Sequence, residues 1–262
     1  MKNLNDEIVP RIVPLSALRD NYIWLVCEGS ACLVVDPGEA APVEDYLAHH
    51  ALQLKGILLT HRHADHQGGV QQLLQQHHVE VFGPASESMP HVSHVLHGGE
   101  TLSIAGFSGS FEVLSTPGHT EEHLAFIHAG HLFCGDTLFA GGCGRLLGGS
   151  ATQLYASLQK LAGLPGDTRI CCAHEYTLSN LRFAASVEQD NHSIHDRITR
   201  CMALREQGRP TLPSLLSDEL LTNPFLRCDQ PSVQTSAQKH VGHGLDGPLA
   251  VFTELRKWKD DF

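Results

Sequence analysis

An α+β chain is predicted, a strand-rich portion followed by a helical one, and three observations predict it. Short aliphatic and β-branched runs recur between residues 11 and 174, and several end in loops bearing His or Asp. After residue 174 the periodicity becomes helical, with no convincing strand up to the end. The 262 residues are 42% hydrophobic and 18% charged, which fills the core of one large domain or of one domain with an appendage. The division is placed at the change of pattern, giving domains 1–174 and 175–262.

In order, residues 11–18 and 22–27 read as strands joined by the turn-prone Asp20-Asn21. Residues 31–35 are a third, stopped by Asp36-Pro37-Gly38. Asp36 is either a turn cap or a carboxylate that orients a metal-binding loop. Residues 42–50 suit a short helix, and 56–59 a buried strand. That strand leads into Thr60-His61-Arg62-His63-Ala64-Asp65-His66, followed by Gly68-Gly69 and a helix over 70–78 with Val70, Leu73 and Leu74 on one face. Residues 79–82 return as a strand, and a turn at Gly98-Gly99-Glu100 precedes another over 101–104. The run 111–114 enters Thr116-Pro117-Gly118-His119-Thr120, where Pro and Gly bend the chain and aim His119. Residues 124–128 and 131–134 form a strand pair around Ala129-Gly130, ending at Gly135-Asp136-Thr137. An amphipathic helix over 152–161 and a buried strand over 169–173 bring the chain to His174. Beyond it, helices are predicted over 180–188, over 193–206 with Ser193 as its cap, and within 245–259 with Pro248 near the first turn.

The chemistry concentrates at these strand ends. The chain has 19 histidines, so some clustering arises by chance. His49-His50 and His77-His78 read as solvated helix ends, and His91, His94 and His97 as surface residues. The 61–66 stretch differs because Asp is interleaved and further ligand types recur in the same setting downstream. His61, His63, Asp65, His66, His119, Asp136 and His174 exceed what one tetrahedral ion needs and suit two divalent ions. The simplest partition gives one ion His61, His63 and His119, and the other Asp65, His66 and His174, with Asp136 spanning both. Two such ions, with a bridging water or hydroxide, favour attack on an acyl carbon at neutral pH. Asp65 and Asp136 carry the catalytic roles, Asp65 holding the nucleophile by a hydrogen bond and Asp136 bridging. A thiolate, with an ordinary pKa of about 8.5, leaves with little help from an acid. Imidazole and carboxylate suit zinc, iron and manganese alike, and zinc is the ion expected. No Gly-x-Ser-x-Gly elbow supports a serine nucleophile.

A net charge of −11 argues against nucleic acid as a partner, though metals and local cations can still attract a small anion into a cleft. Residues 1–7 lack the apolar core of an export signal and no run reaches membrane-spanning length, so a cytoplasmic protein without membrane contact is expected. None of the 8 Cys forms a C-x-x-C pair, and they read as reduced, buried residues.

Thr-His-x-His-x-Asp-His, with Pro-Gly-His-Thr, Gly-Asp-Thr and His-Glu-Tyr-Thr downstream, resembles the metallo-β-lactamase superfamily. That resemblance covers roughly residues 11–174 and implies an αββα sandwich with a binuclear site along one edge. Asp20-Asn21-Tyr22, Gly142-Cys143-Gly144-Arg145, the segment from His174 to Leu181 and Arg256-Lys257-Trp258-Lys259-Asp260 are similar to the glyoxalase II, or hydroxyacylglutathione hydrolase, family. It implies a helical C-terminal domain that binds substrate and a monomeric enzyme hydrolysing S-2-hydroxyacylglutathione. The expected substrate is S-D-lactoylglutathione, cleaved to D-lactate and glutathione, the second step of methylglyoxal detoxification. It also implies that Arg145, Tyr176, Arg256 and Lys259 hold the glutathione part, whose carboxylates suit Arg and Lys. Some relatives carry a glutathione-contacting Tyr where this chain has Leu147, and losing that hydroxyl costs about 0.5–1.5 kcal/mol if nothing replaces it. Two alternatives remain open: a glutathione persulfide dioxygenase with a single iron on the same fold, and a non-catalytic metal-binding protein. β-Lactamase and RNA-processing nuclease activities fit less well, given the absent export signal and the negative charge.

Overall fold

The computed structural model describes residues 10–262, so the 1–7 stretch read for an export signal lies outside the described residues. The chain separates into two compact units: Met1–Leu114 with Leu124–Ala129, and Ser115–His123 with Gly130–Phe262. Among the described residues no helix is long and apolar enough to cross a membrane.

The first unit is built on a six-stranded sheet. Its strands are β1 (Arg11–Ala17), β2 (Asn21–Glu28), β3 (Ala31–Val35), β4 (Gln53–Leu58), β5 (Glu80–Pro84) and β6 (His94–Leu96), lying side by side in that order. The first three pair antiparallel, while β3 to β6 run parallel. Every residue of β2 and β3 is buried, which is why these strands are written as continuous apolar runs rather than alternating ones. Helices α1 (Ala41–His49), α2 (Ala64–Gln67) and α3 (Val70–Gln76) cross between strands. Val43 and Leu47 of α1 and Val70 and Leu73 of α3 pack on Ile23, Leu25, Val34 and Ile57. Each fully buried aliphatic side chain contributes about 1.5–3 kcal/mol. The unit also holds β7 (Thr101–Leu102), antiparallel to β8 (Phe111–Ser115), and β9 (Leu124–His128).

The second unit continues with β10 (His131–Gly135), β11 (Leu138–Phe139) and β12 (Gly142–Cys143). It then forms α4 (Ala151–Ala162), β13 (Arg169–Cys172) and α5 (Thr177–Val187), followed by α6 (His192–Glu206), β14 (Ser214–Leu215) and α7 (Leu216–Thr222), and ends with α8 (Pro231–Val241) and α9 (Gly247–Asp261). Strand β13 lies parallel to β10 and antiparallel to β14. Helix α4 opens on a full capping box between Ser150 and Gln153. The aromatic rings of Phe183, Phe225 and Phe252, all fully buried, pack in series with centroids 5.8 Å apart. Glu219, with no exposed surface, accepts hydrogen bonds from Gly141 N at 2.7 Å, from Ser214 Oγ at 2.7 Å and from the Arg197 guanidinium. A buried carboxylate is tolerated only with such a complete set of partners.

The structure corrects several sequence expectations. Strand β14 and helices α7 and α8 lie between 206 and 245, where the sequence reading found helical periodicity but named no element; a two-residue strand leaves no periodicity to detect. The cap of α6 is Asn191, whose side chain accepts from Ser193 N at 3.1 Å, rather than Ser193. The turn before β2 falls at residues 18–20, and Asn21 is the strand's first, buried residue. Strand β7 is two residues long, not four, and β6 was not anticipated. His94 lies on the surface as read, 2.9 Å from the exposed Glu80 carboxylate. All eight cysteines are buried free thiols, as expected.

Candidate metal centre

In the first unit, β4 delivers the chain into residues 59–63 and the single turn α2 then carries Asp65 and His66. His61 and His66 are fully buried. Asp36, just past the parallel neighbour β3, organises both. It sits in the left-handed region at φ 51°, a conformation Asp tolerates better than most residues. Its carboxylate accepts from Thr60 N at 2.8 Å and Thr60 Oγ1 at 2.7 Å, and from His66 Nδ1 at 2.9 Å. A carboxylate only accepts, so the proton of His66 lies on Nδ1 and its Nε2 presents a lone pair. The same logic extends one bond further. Thr60 spends its hydroxyl proton on Asp36 and therefore accepts from His61 Nδ1 at 3.0 Å, which leaves His61 Nε2 as the donor atom for a metal. His61 Nε2 and His63 Nδ1 face each other at 2.9 Å. Asp65 Oδ2 stands 3.5 Å from His66 Nε2 and accepts from Asn21 Nδ2 at 3.0 Å. Of the two readings of Asp36 left open by the sequence, the bonds to Thr60 and His66 are those of a carboxylate that orients the ligand loop.

In the second unit, Asp136 follows β10 directly and His174 follows β13 at a two-residue remove. His119 sits in the loop before them, where Gly118 adopts φ +143° and gives the tight bend that the sequence demands. His119 Nδ1 donates to the Arg145 carbonyl at 2.7 Å, so its Nε2 is again the outward nitrogen. That nitrogen lies 3.5 Å from Asp136 Oδ2, and His174 Nε2 lies 3.4 Å from Asp136 Oδ1. The two carboxylate oxygens thus serve two different imidazoles, which is the arrangement a bridging ligand needs. A neutral imidazole lone pair facing a carboxylate oxygen gains from a cation between them. The donor chemistry therefore fits divalent metal ions. Close approach shapes this half too: a Cβ on Gly144 would lie 2.0 Å from the Asp136 carbonyl oxygen and 3.2 Å from His119 Nδ1.

The substrate-binding candidates all fall in this unit. Tyr176 stacks on His174, with ring centroids 4.7 Å apart and planes 7° from parallel. The side chain of Arg145 is 67% exposed, its Nε 3.4 Å from Asp260 Oδ1. Arg256 is buried: it donates to the Cys143 carbonyl at 3.0 Å and to Asp260 Oδ1 at 3.0 Å, and lies over the Phe225 ring. Lys259 lies over Phe183 and Phe262, and burial, with Arg256 and Arg145 adding, holds its pKa below the ordinary lysine value. Burial also pushes the Cys143 thiol up to about 11, so it stays protonated at neutral pH and is no nucleophile.

Two contributors escaped the sequence reading. His123 is fully buried and its Nε2 accepts from Asp136 N at 3.2 Å, while Nδ1 has the Thr116 and Thr137 hydroxyls each at 3.1 Å. Asn21 was quoted as a turn residue but grips Asp65. The signal for His123 was its place four residues after His119 at the mouth of β9; nothing in sequence indicates Asn21's reach across 44 positions.

Comparison with known proteins bears on these two half-sites. The family model described as metallo-beta-lactamase superfamily matches residues 18–174, and that described as hydroxyacylglutathione hydrolase C-terminus matches 175–262. A hydroxyacylglutathione hydrolase of Aeromonas hydrophila is 53% identical, covering 96% of this chain and 99% of its own. One from Halorhodospira halophila is 51% identical over 94% and 97% of the two chains. Among solved structures, the BLEG-1 B3 metallo-beta-lactamase superposes with a TM-score of 0.63 at 24% identity, covering 83% of this chain and 99% of its own. TTHA1623, crystallised in a di-iron-bound form, superposes at 0.54 with 29% identity over 63% of this chain and 91% of its own. The α+β metallo-β-lactamase fold with a helical C-terminal portion is thereby established.

Proposed function

The chain belongs to the hydroxyacylglutathione hydrolase family of the metallo-β-lactamase superfamily, and from that premise we propose how its residues perform the hydrolysis of a glutathione thioester. The enzyme is a thioester hydrolase acting on S-2-hydroxyacylglutathione, with S-D-lactoylglutathione as the substrate proposed here. The domain boundary is proposed at 174/175, where the two family matches meet.

Two divalent ions are proposed, zinc first, with His61, His63 and His119 holding one, Asp65, His66 and His174 the other, and Asp136 shared. In support, a solved structure at 29% identity is of a di-iron-bound form. What such ions supply is Lewis acidity toward the thioester carbonyl and a pKa near 7 for water.

The protein's own part is orientation and proton control. Asp36 fixes the tautomers of His66 directly and of His61 through Thr60, so both Nε2 atoms are aimed without reorganisation. Asn21 holds Asp65, which accepts a hydrogen bond from the attacking water and keeps its lone pair toward the acyl carbon. The sulfur leaves as a thiolate of ordinary pKa about 8.5, so no side chain need protonate it fully. Arg145, Tyr176, Arg256 and Lys259 are proposed to receive the glutathione part, Arg145 and Lys259 as cations toward its carboxylates. The single observation that carries the metal reading is Asp136, whose two oxygens face two different imidazoles, His119 Nε2 at 3.5 Å and His174 Nε2 at 3.4 Å.

The persulfide dioxygenase and the non-catalytic alternatives are not what relatives of about half identity favour. The deciding experiment is direct. Purified, metal-replete protein should hydrolyse S-D-lactoylglutathione with one thiol released per thioester, and elemental analysis of the same sample should find two ions per chain. A sample that holds two ions yet gives no turnover overturns the substrate assignment; turnover with one ion overturns the binuclear one.

A further inference from the structure

Cys27 and Cys32 lie opposite each other in the β2–β3 hairpin, in register across the antiparallel pair. Their sulfur atoms are 3.2 Å apart. Neither takes part in the chemistry described above. The row continues outward: Arg11, at the exposed start of β1, is the register partner of Cys27 on its other side. Arg11 lies with its guanidinium 5.7 Å from the centre of the Tyr46 ring. One strand row therefore runs from an exposed cation to a thiol that is 4% exposed and then to a thiol that is fully buried.

We infer that Cys27 and Cys32 form a dithiol site that a small peroxide oxidises to an intramolecular disulfide. Three features support it. The hairpin register already supplies the pairing, and closing 3.2 Å to a bond of about 2.05 Å needs only side-chain rotation and a slight approach of the strands. The two sulfurs are inequivalent: the hydrogen bond from Cys32 and the charge of Arg11 lower the pKa of Cys27 despite burial, while the same hydrogen bond and burial raise that of Cys32. Cys27 is 4% exposed and Cys32 fully buried, so Cys27 is the sulfur that solvent reaches first.

The steps balance. The Cys27 thiolate attacks one peroxide oxygen, the O–O bond breaks and hydroxide leaves, taking up a proton to become water. The Cys27 sulfenic acid is then attacked by Cys32 sulfur; the S–O bond breaks, the S–S bond forms, and the oxygen departs as a second water with the Cys32 proton. The two thiols lose two electrons and the peroxide gains them. Burial raises the thiols of Cys134, Cys171 and Cys172.

The test uses the native protein. It is exposed to hydrogen peroxide, denatured in N-ethylmaleimide and cut with trypsin, which places Cys27 and Cys32 alone on the peptide 20–55. That peptide should be lighter by two hydrogens and carry no maleimide, and dithiothreitol before alkylation should restore two maleimides. In C32S, Cys27 should be trapped as a sulfenic acid by dimedone, whereas in C27S the remaining Cys32 should stay unlabelled. Two maleimides on the wild-type peptide after peroxide, or dimedone labelling of C27S equal to that of C32S, overturns the inference. Both variants keep a hydroxyl of similar size, and a melting curve checks that they fold.

Discussion

Asp36 and His66 stand 2.9 Å apart, carboxylate to Nδ1, both buried and 30 positions apart in the chain. The pair settles which nitrogen of His66 is available before any ligand arrives. Through Thr60 the same carboxylate settles His61 as well. One residue that binds no metal therefore sets two that are proposed to do so.

Asp36→Asn removes the charge and offers an amide donor to Nδ1, so the His66 tautomer is no longer imposed. Metal affinity should fall about 10–100-fold, the usual cost of losing such a partner. Competition with a chromophoric chelator measures it, and rescue of the rate by excess metal would separate it from a folding defect.

Gly144→Ala places a methyl group 2.0 Å from the carbonyl oxygen of Asp136. The backbone must shift, at a cost of about 1–3 kcal/mol or more, and Asp136 moves with it. The expected result is a lower Tm together with a lower metal content per chain. An unchanged metal stoichiometry would show that Asp136 tolerates the displacement.

Arg256→Ala should raise KM and also lower the melting temperature. The guanidinium satisfies the Cys143 carbonyl from a buried position, and leaving that acceptor bare costs about 1–3 kcal/mol. A pure KM effect would mean that the loop holds its shape without Arg256. Arg145→Ala, at an exposed side chain, should change KM and leave Tm within error.

Lys259 should give KM a pH dependence of defined sign. Burial lowers its pKa, so it loses its charge as pH rises at a lower value than the about 10.4 of an ordinary lysine. The cation is present below that pKa and absent above it. KM for a carboxylate-bearing thioester should therefore climb on the alkaline side, and Lys259→Met should flatten the climb. A KM profile identical in wild type and variant removes Lys259 from the binding set.

Much of the fold was legible because its strands are apolar and end at chemically marked loops. Strands β2 and β3 are buried on both faces, so their composition alone gave them away. The seven residues proposed as metal donors were read for a related reason: four of them cluster after one aliphatic run, and His119, Asp136 and His174 each follow another. What sequence could not give was anything depending on contact between remote positions. Asn21 reaching Asp65, His123 supporting Asp136, and the Arg145 carbonyl receiving His119 are long-range geometry with no local pattern. The bond from Arg256 to the Cys143 carbonyl, across 113 positions, is of the same kind. Strand β14 escaped because two residues carry no period.

Glu219, on a helix beyond residue 174, fastens the backbone of Gly141, just ahead of the segment that carries Arg145. The tail of the polypeptide thus acts as a mould for a loop specified some eighty positions earlier. Grafting 175–262 from one relative onto the front of another would transplant the curvature of that loop along with the helices, so such hybrids would inherit substrate preference from the donor of the tail.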